Sequence, residues 1–482
     1  IRFPGTTTEP AKWVRLKLPQ CTSEGHLRAL YQLHASTWAT PPPCAVISVP
    51  PAGVADGSIP DQLRLALARG LVAAAKRTNA WVITGGAAEG VAGVIGGALK
   101  GAGVPTVGIA AWDRTAETAL LEENSNGQVH LYGSGDNVAY AAKRGSIAGA
   151  GVVPLDPHHT HFLLVDGKPV AAVDGKPVAA ADAAGVATTP PELVLRSAFE
   201  RLICDEDVSG DGIETPKVVL VAGGDATTLR WVKDALDPHS SVSGKSRPVL
   251  VLADSGGAAA DIWRYCGDEK ASAAGELPTI SGGRTADYVA EAHVLLPEIA
   301  RLGAMCGNNT TPQLSFYRLS DDMEAEDNLA LGRAIQSALL NDCASRKDEI
   351  LLAVSWGEPH ILRELLERNA ASSDLKQLRK DKGVALTEAL LRRDAGIARC
   401  LVEFSAEAKH VDIDRLFCPS LNKYDVEPLW PTEDDDVGGG GEAGGLSPAE
   451  RGGGAVASAV RARPNRAALD GDAAALDGDV GA

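Results

Sequence analysis

Phe, Trp and Tyr make up only 4% of this 482-residue chain, while hydrophobic residues as a whole make up 45%. A core of stacked rings is thereby excluded, and Ala, Val, Leu and Ile must fill the interior. The eight cysteines, Cys21, Cys44, Cys204, Cys266, Cys306, Cys343, Cys400 and Cys418, lie far apart with no C-x-x-C pair. That spacing excludes a zinc module and a small disulfide scaffold, and it fits a reducing cytosol. Positive charge is short, with 46 Lys and Arg against 63 Asp and Glu and a formal net charge of -17. A sequence-independent grip on nucleic acid or anionic lipid is excluded on that ground. A small anionic ligand is not, because backbone N–H groups and one or two placed arginines hold a phosphate well inside an acidic protein. No apolar run reaches the ~20 residues of a membrane helix, and no charged-then-apolar leader follows Ile1. The chain is expected to be soluble as it stands and is compatible with a piece of a longer protein.

At ~150 residues per domain, this length predicts two or three units. Strand-like runs alternate with helix-like stretches through the first three hundred residues, the pattern of a parallel sheet covered by helices on both faces. Cys44 to Val49 reads as a buried strand opening at Pro50-Pro51-Ala52-Gly53. The following helix begins near Pro60-Asp61 and places Leu63, Leu67, Leu71 and Ala74 on one face, before Trp81 to Thr84 resumes as a strand. A Gly-rich helix from Val91 to Leu99 and a strand from Val104 to Ile109 come next. Further on, Lys217 to Val221 and Pro248 to Ala253 are each followed by a glycine turn and a helix. Two such successive units put their turns on one sheet edge, where a crevice is expected. Between them Val165 to Ala172 is repeated at once as Val173 to Ala180, and the Asp-Gly steps predict a surface hairpin.

From about Asp327 helical periodicity takes over. Leu351 to Glu367 and Thr387 to Glu403 align at a spacing of 36 residues, Ala353 with Ala389, Ile361 with Ile397 and Leu365 with Leu401. Such a spacing belongs to helical repeat arrays, and two units are expected to lean on the α/β part or on sequence outside this chain. After Trp430 the composition collapses into acidic and glycine runs with a repeated Ala-Leu-Asp-Gly-Asp, read as disordered.

The chemistry is expected at three turns. Thr84-Gly85-Gly86, with Gly90 opening the next helix, points free N–H groups and a positive helix end into the crevice. Gly223-Gly224 followed by Thr227 and Thr228 adds two hydroxyls, and Ser255-Gly256-Gly257 supplies a third turn. Together they point to a nucleotide or nucleotide sugar. His158, His159 and His161 invite a metal, but no Cys or carboxylate pattern completes a site, and they are read as structural. The acidic cluster Asp321, Asp322, Glu324, Glu326 and Asp327 reads as a solvated helix start.

Five segments in order, Arg69 to Gly86, Leu155 to Gly167, Leu195 to Ile203, Val219 to Leu236 and Val251 to Trp263, resemble the N-terminal homology region of melastatin-type (TRPM) cation channels. The opening Lys12 to Gln20 and the repeats from Asp327 to Leu416 extend the likeness to roughly Lys12 to Trp430. That region is of the SLOG class, also called LSDAT, whose relatives include lysine-decarboxylase-like phosphoribohydrolases and DNA-processing proteins.

The resemblance implies a Rossmann-like, doubly wound parallel α/β sheet followed by an all-α helical-repeat (ankyrin-like) domain. It implies a cytosolic regulatory region of a tetrameric, calcium-permeable channel that takes an ADP-ribose-like ligand and supports assembly and gating, with the membrane met only through a downstream pore. Thr84, Gly85, Gly86 and Arg196 match the family's ligand positions, Arg196 as a phosphate clamp. The sequence departs from the family at Gly257 and Ala258, where an arginine is usual, and in lacking a tyrosine shortly before Arg196. Ala87 and Ala88 stand where a polar residue is usual.

A second reading is accordingly an assembly module that works without ligand. A third, the phosphoribohydrolase, needs an acid or base glutamate after the second turn, and Gly223 to Arg230 has none after its threonines, so no catalytic residue is expected. The expected division is a lead-in at 1–40, the SLOG domain at 41–305, a linker at 306–326, the helical repeats at 327–430 and the tail at 431–482.

Overall fold

The computed structural model describes residues 1–3, 9–51, 59–118, 121, 152–168, 170–173, 176–178, 188–205, 214–240, 244–267, 285–305, 312–319, 330–343, 345–369, 375–404, 408–412 and 416. The acidic cluster before Ala330 and the tail after Trp430 lie outside them.

Eight strands form one parallel sheet. In chain order they are β1 (Lys12–Lys17), β2 (Ala45–Ser48), β3 (Ala80–Thr84), β4 (Thr106–Ala111) and β5 (His161–Asp166), then β9 (Lys217–Val221), β10 (Val249–Leu252) and β11 (Leu314–Tyr317). Their spatial order is β1-β5-β4-β3-β2-β9-β10-β11, every neighbour pair running parallel. The predicted doubly wound α/β fold is what forms. The stretch read as a lead-in supplies the edge strand β1, and the stretch read as a linker supplies the opposite edge, β11.

Chain growth runs one way from β2 to β4 and the other way from β9 to β11, so the switch point lies between β2 and β9. Right-handed crossovers then require helices on opposite faces for the two halves. They are found there. A helix formed of α2 (Asp61–Ala66), a π turn (Leu67–Leu71) and α3 (Val72–Arg77), with α4 (Gly90–Leu99), packs against Ala45, Ile47, Ala80 and Val82. On the other face α6 (Ala226–Leu236), α7 (Gly257–Ile262) and α8 (Ala286–Gly303) cover Val219, Val221, Val249 and Val251. The same opposite face, under β2 to β5, is covered by α1 (Glu24–Gln32) and α5 (Pro191–Asp205) through Leu27, Leu30, Leu195, Phe199, Leu202 and Ile203. The inner strands β2, β3, β9 and β10 are buried along almost their whole length, as a sheet clad on both faces requires.

This winding leaves the first face of β9 and β10 without a crossover helix. Helix α9 (Ala330–Asn341) fills it, placing Leu331, Ile335, Ala338 and Leu339 in one cluster with Val218, Leu220, Leu250 and Leu252. The approach is close, for a Cβ on Gly332 would stand 2.9 Å from the Gly70 carbonyl oxygen. From α9 the same apolar cluster continues through α10 (Arg346–Trp356), α11 (Pro359–Asn369), α12 (Leu375–Leu391) and α13 (Ala395–Glu403) to Leu401. The aligned pairs Ala353 and Ala389, Ile361 and Ile397, and Leu365 and Leu401 are all buried, so the repeat spacing does mark equivalent core positions. The helical unit leans on the sheet and shares its core.

The region around the duplication is more than a surface extension. Its first copy begins with Val165 inside β5, whose Phe162, Leu163, Leu164 and Val165 are fully buried. Only after β5 does the chain form a small antiparallel sheet of β6 (Val170–Val173), β7 (Lys176–Val178) and β8 (Thr188–Thr189), the hairpin that the Asp-Gly steps predict.

His34 sits in a box of rings formed by Trp38, Trp81, His161 and Phe199, at centroid distances of 4.6, 5.0, 5.1 and 5.8 Å. Neither of its ring nitrogens has a hydrogen-bond partner. His161 is held by the hydroxyls of Thr40 and Thr160. Burial, then for His34 the neighbouring His161 and for both the Lys12 charge, lowers each imidazole from 6.5 to about 3. Both residues are neutral in the folded chain and titrate near 6.5 when it unfolds, so their contribution is complete above pH 6.5 and is lost as pH falls toward 3. Between pH 7 and pH 5 the two together remove about 4 kcal/mol of stability, at ~1.4 kcal/mol per pH unit each below 6.5. Replacing His34 by Phe keeps the ring and removes two unpartnered nitrogens; urea midpoints of H34F are expected to show about half the wild-type loss over this interval. An unchanged pH slope would contradict the assignment.

Candidate functional site

Because all the large-sheet strands are parallel, their carboxyl ends share one edge, and the three glycine turns follow β3, β9 and β10 along it. The turn after β3 is built on Thr84. Its hydroxyl accepts the Gly86 N–H at 2.9 Å and lies 2.6 Å from His159 Nε2, while His159 Nδ1 lies 2.7 Å from Asp156 Oδ2. With Nδ1–H donating to Asp156, a neutral His159 accepts from the Thr84 hydroxyl at Nε2. The main chain of Asp156 donates to Gly86 O, so the loop before β5 clamps the turn. Gly86, at φ 71°, has no room for a side chain, since a Cβ there would stand 2.9 Å from Gly108 Cα. Gly85 is open, with Pro51 Cβ 4.0 Å from an added methyl. Helix α4 starts at the exposed Gly90, and the side chain of its N-cap residue, Glu89, makes no capping hydrogen bond.

The other two turns are closed by the protein itself. Asp225 caps α6, its Oδ1 accepting from Thr227 N at 2.9 Å and Thr228 N at 3.3 Å. A carboxylate thus already occupies the anion position at that helix end. Thr228 completes the capping box, accepting from Asp225 N and donating to Pro51 O at 3.1 Å. Ser255 Oγ accepts the Gly223 N–H at 2.7 Å and donates to Leu252 O. The first amides of α7 are engaged too, Ala258 N by Gly224 O at 3.0 Å and Ala259 N by Gly223 O at 2.9 Å. Gly257 makes this interlock possible, for its Cβ would fall 2.6 Å from Gly223 C. Of the N–H groups expected to be free at three helix starts, those of Gly223, Asp225, Thr227, Thr228, Ala258 and Ala259 are held internally.

Arg196 is 1% exposed, with its guanidinium against the carboxyl ends of β2 and β3. Its Nε donates to Glu200 Oε1 at 2.8 Å, and its Nη2 to Ser48 Oγ at 2.9 Å and Ile83 O at 3.0 Å. The Trp231 ring of α6 stacks 5.0 Å away. Ser48 donates to Glu200 Oε1 at 2.8 Å, and Lys217 Nζ reaches Oε2 at 3.3 Å. Burial raises the Glu200 carboxyl, and Arg196 and Lys217 more than reverse it, leaving it below the ordinary range; Glu200 likewise holds Lys217 above its own despite burial. As placed, Arg196 presents no two-toothed fork to the crevice. Only Nη1 is without a partner.

The three turns and Arg196 were visible in the sequence, and the groups that engage them were not. Glu200 was within reach, standing four residues after Arg196 on a helix, the spacing at which opposite charges meet. Asp225 three residues before Thr228 is the mark of a capped helix start. His158, His159 and His161 separate, with His159 turned to Thr84 and His161 to the ring box. Among the described residues no group of three or more His, Cys, Asp or Glu is placed to hold a metal ion.

A family model described as SLOG in TRPM matches residues 11–281. Over 398 residues the chain is 25% identical to transient receptor potential cation channel subfamily M member 4 of Rattus norvegicus, covering 79% of this chain and 29% of the relative. It is 26% identical over 371 residues to a Caenorhabditis elegans transient receptor potential channel, covering 73% and 16%. Against subfamily M member 2 of Rattus norvegicus it is 30% identical over 267 residues, covering 52% and 16%. The chain therefore spans less than a third of the length of each of these relatives.

The two glycines of the first turn are expected to respond differently to one added methyl. Gly85→Ala should change unfolding free energy by less than about 0.5 kcal/mol, while Gly86→Ala, strained in φ and against Gly108, should lose roughly 2 kcal/mol or more. Guanidinium midpoints of the two variants check this, and equal losses would contradict the geometry.

Proposed function

The chain belongs to the SLOG in TRPM family, and from that membership we propose that it is the cytosolic N-terminal regulatory region of a melastatin-type, calcium-permeable cation channel. In this reading it binds a nucleotide-type ligand of the ADP-ribose class at the first turn and takes part in assembly and gating of a tetramer. The relatives of which it matches a part are named as cation channels. Among the described residues no helix is long and apolar enough to cross a membrane. Contact with the bilayer is assigned to a pore region lying outside this chain.

The observation that carries the ligand half is the pairing of the start of α4, beside Thr84-Gly85-Gly86 and without a side-chain cap from its N-cap residue, with a buried guanidinium whose Nη1 has no acceptor among the described residues. Positive helix ends and arginine are the two devices by which an acidic protein holds phosphate. The Asp225 carboxylate disfavours a phosphate at α6, and its outer oxygen suits a hydroxyl donor such as a ribose diol. A second reading, assembly without ligand, is favoured by the internal engagement of the second and third turns. Both readings take the chain as non-catalytic, and release of free base from AMP-like substrates would contradict both.

Isothermal titration of the purified chain with ADP-ribose separates them. The ligand reading predicts measurable heat in the wild type, about tenfold weaker affinity in Gly85→Ala, whose fold is preserved, and a further loss in Arg196→Lys. Absence of heat with ADP-ribose and ADP, in a chain that self-associates by light scattering, would leave the assembly reading.

A further inference from the structure

We propose that a chain of ion pairs and hydrogen bonds running from Arg196 through the half-buried Lys217 to Asp342 lets the helical unit read occupancy of the crevice, an inference that rests on the ligand reading above. The links are short and consecutive. Arg196 holds Glu200 at 2.8 Å, and Glu200 is reached by Lys217 Nζ at 3.3 Å. Lys217 is the pivot, since its main-chain N–H, at the start of β9, donates to Asp342 Oδ2 at 2.8 Å. Asp342 directly follows α9 and is also held by Arg247 Nη1 at 2.6 Å, while Arg247 Nη2 pairs with Asp205 at the end of α5. Helix α5 lies on one face of the sheet and α9 on the other, so the chain of charges passes through the sheet at β9 rather than around it.

Both ends of this chain are left with an unmet bond, and the two are of opposite kind. At the crevice end Arg196 Nη1 is a buried donor without an acceptor. At the helical end Asp342 Oδ1, on a fully buried side chain, has no hydrogen bond among the described residues and faces Lys245 Nζ at 3.8 Å. A buried unpaired donor raises the energy of the ligand-free arrangement. An anionic oxygen in the crevice supplies the missing acceptor and draws the guanidinium from Glu200. The Glu200 charge then falls more fully on Lys217, and the pull on that residue bears on the N–H that Asp342 holds.

Amide hydrogen exchange of the full chain tests this in two arms. Without ligand, Glu200→Gln is expected to speed exchange in α9, on the far face of the sheet, by about tenfold; Asp342→Asn should do the same, and the double variant should add nothing further. Additive increases, or acceleration confined to α5, β2 and β9, would overturn the proposal. Should Glu200→Gln fail to fold, Arg196→Lys, which keeps the charge and removes the fork, takes its place with the same expectation for α9. With ADP-ribose as probe, exchange in α9 should slow in the wild type but not in Asp342→Asn. Binding that leaves α9 unchanged in the wild type overturns the relay. If calorimetry finds no ADP-ribose heat, the nucleotide reading falls, and exchange in the ligand-free variants still decides the coupling.

Discussion

The ion pair between Arg196 and Glu200 is buried at the one place in the sheet where the two winding directions meet, and the position of α5 depends on it. Burying two charges carries a desolvation cost of several kcal/mol each, which close geometry and extra hydrogen bonds must offset. Here Ser48, Ile83 O and Lys217 provide those bonds. Such a set adds little net stability over an apolar replacement, yet removing one member leaves an unpaired charge and costs about 3–5 kcal/mol. Its structural effect is placement. The apolar residues of α5, Leu195, Phe199, Leu202 and Ile203, would tolerate a shift along the sheet, whereas Glu200 meets Ser48 and Lys217 in only one position. The polar group also fills the seam between the apolar cluster under α1 and α5 and the one under α6 to α8.

A second constraint follows from handedness. Right-handed crossovers place helices on one face for β2 to β4 and on the other for β9 to β11, so half of the first face is left for something else to cover. The chain covers it with α9, and the repeats that follow cannot then be a separate body, because Leu331 to Leu339 belong to the same cluster as Leu220 and Leu252. Two helix pairs are fewer than the ~3 repeats that stand alone. The sheet supplies the surface on which they end. Family membership and packing thus lead to one picture, in which the edge carrying the glycine turns and the helical unit are parts of a single folded mass.

Much of this was legible from the sequence, for physical reasons that differ from part to part. Short β-branched runs bounded by turn residues, such as Cys44 to Val49 and Lys217 to Val221, read as strands buried on both faces, and the spacing of Leu63, Leu67 and Leu71 reads as a helix face. The edge strands were not legible. Lys12 to Lys17 mixes charge with apolar residues because one side of an edge strand meets solvent, and Leu314 to Tyr317 is too short to mark itself. At the site, glycine positions were visible because turn geometry demands glycine. What engages those turns was not, since the partners of Gly223, Ala258 and Thr84 come from Ser255, Gly224 and His159. The partnership of Lys217 with Asp342, 125 residues apart, leaves no local pattern at all.

The central claim is that the α/β sheet and the helical repeats form one cooperative unit joined by a shared core and the charge chain through β9. Differential scanning calorimetry of the whole chain tests it most directly. A single transition, with the calorimetric enthalpy equal to the van't Hoff enthalpy and Trp81 in the sheet and Trp356 in the repeats losing their native environments together, is the result predicted. Two resolved transitions, with the repeats melting while Trp81 stays buried, would contradict it.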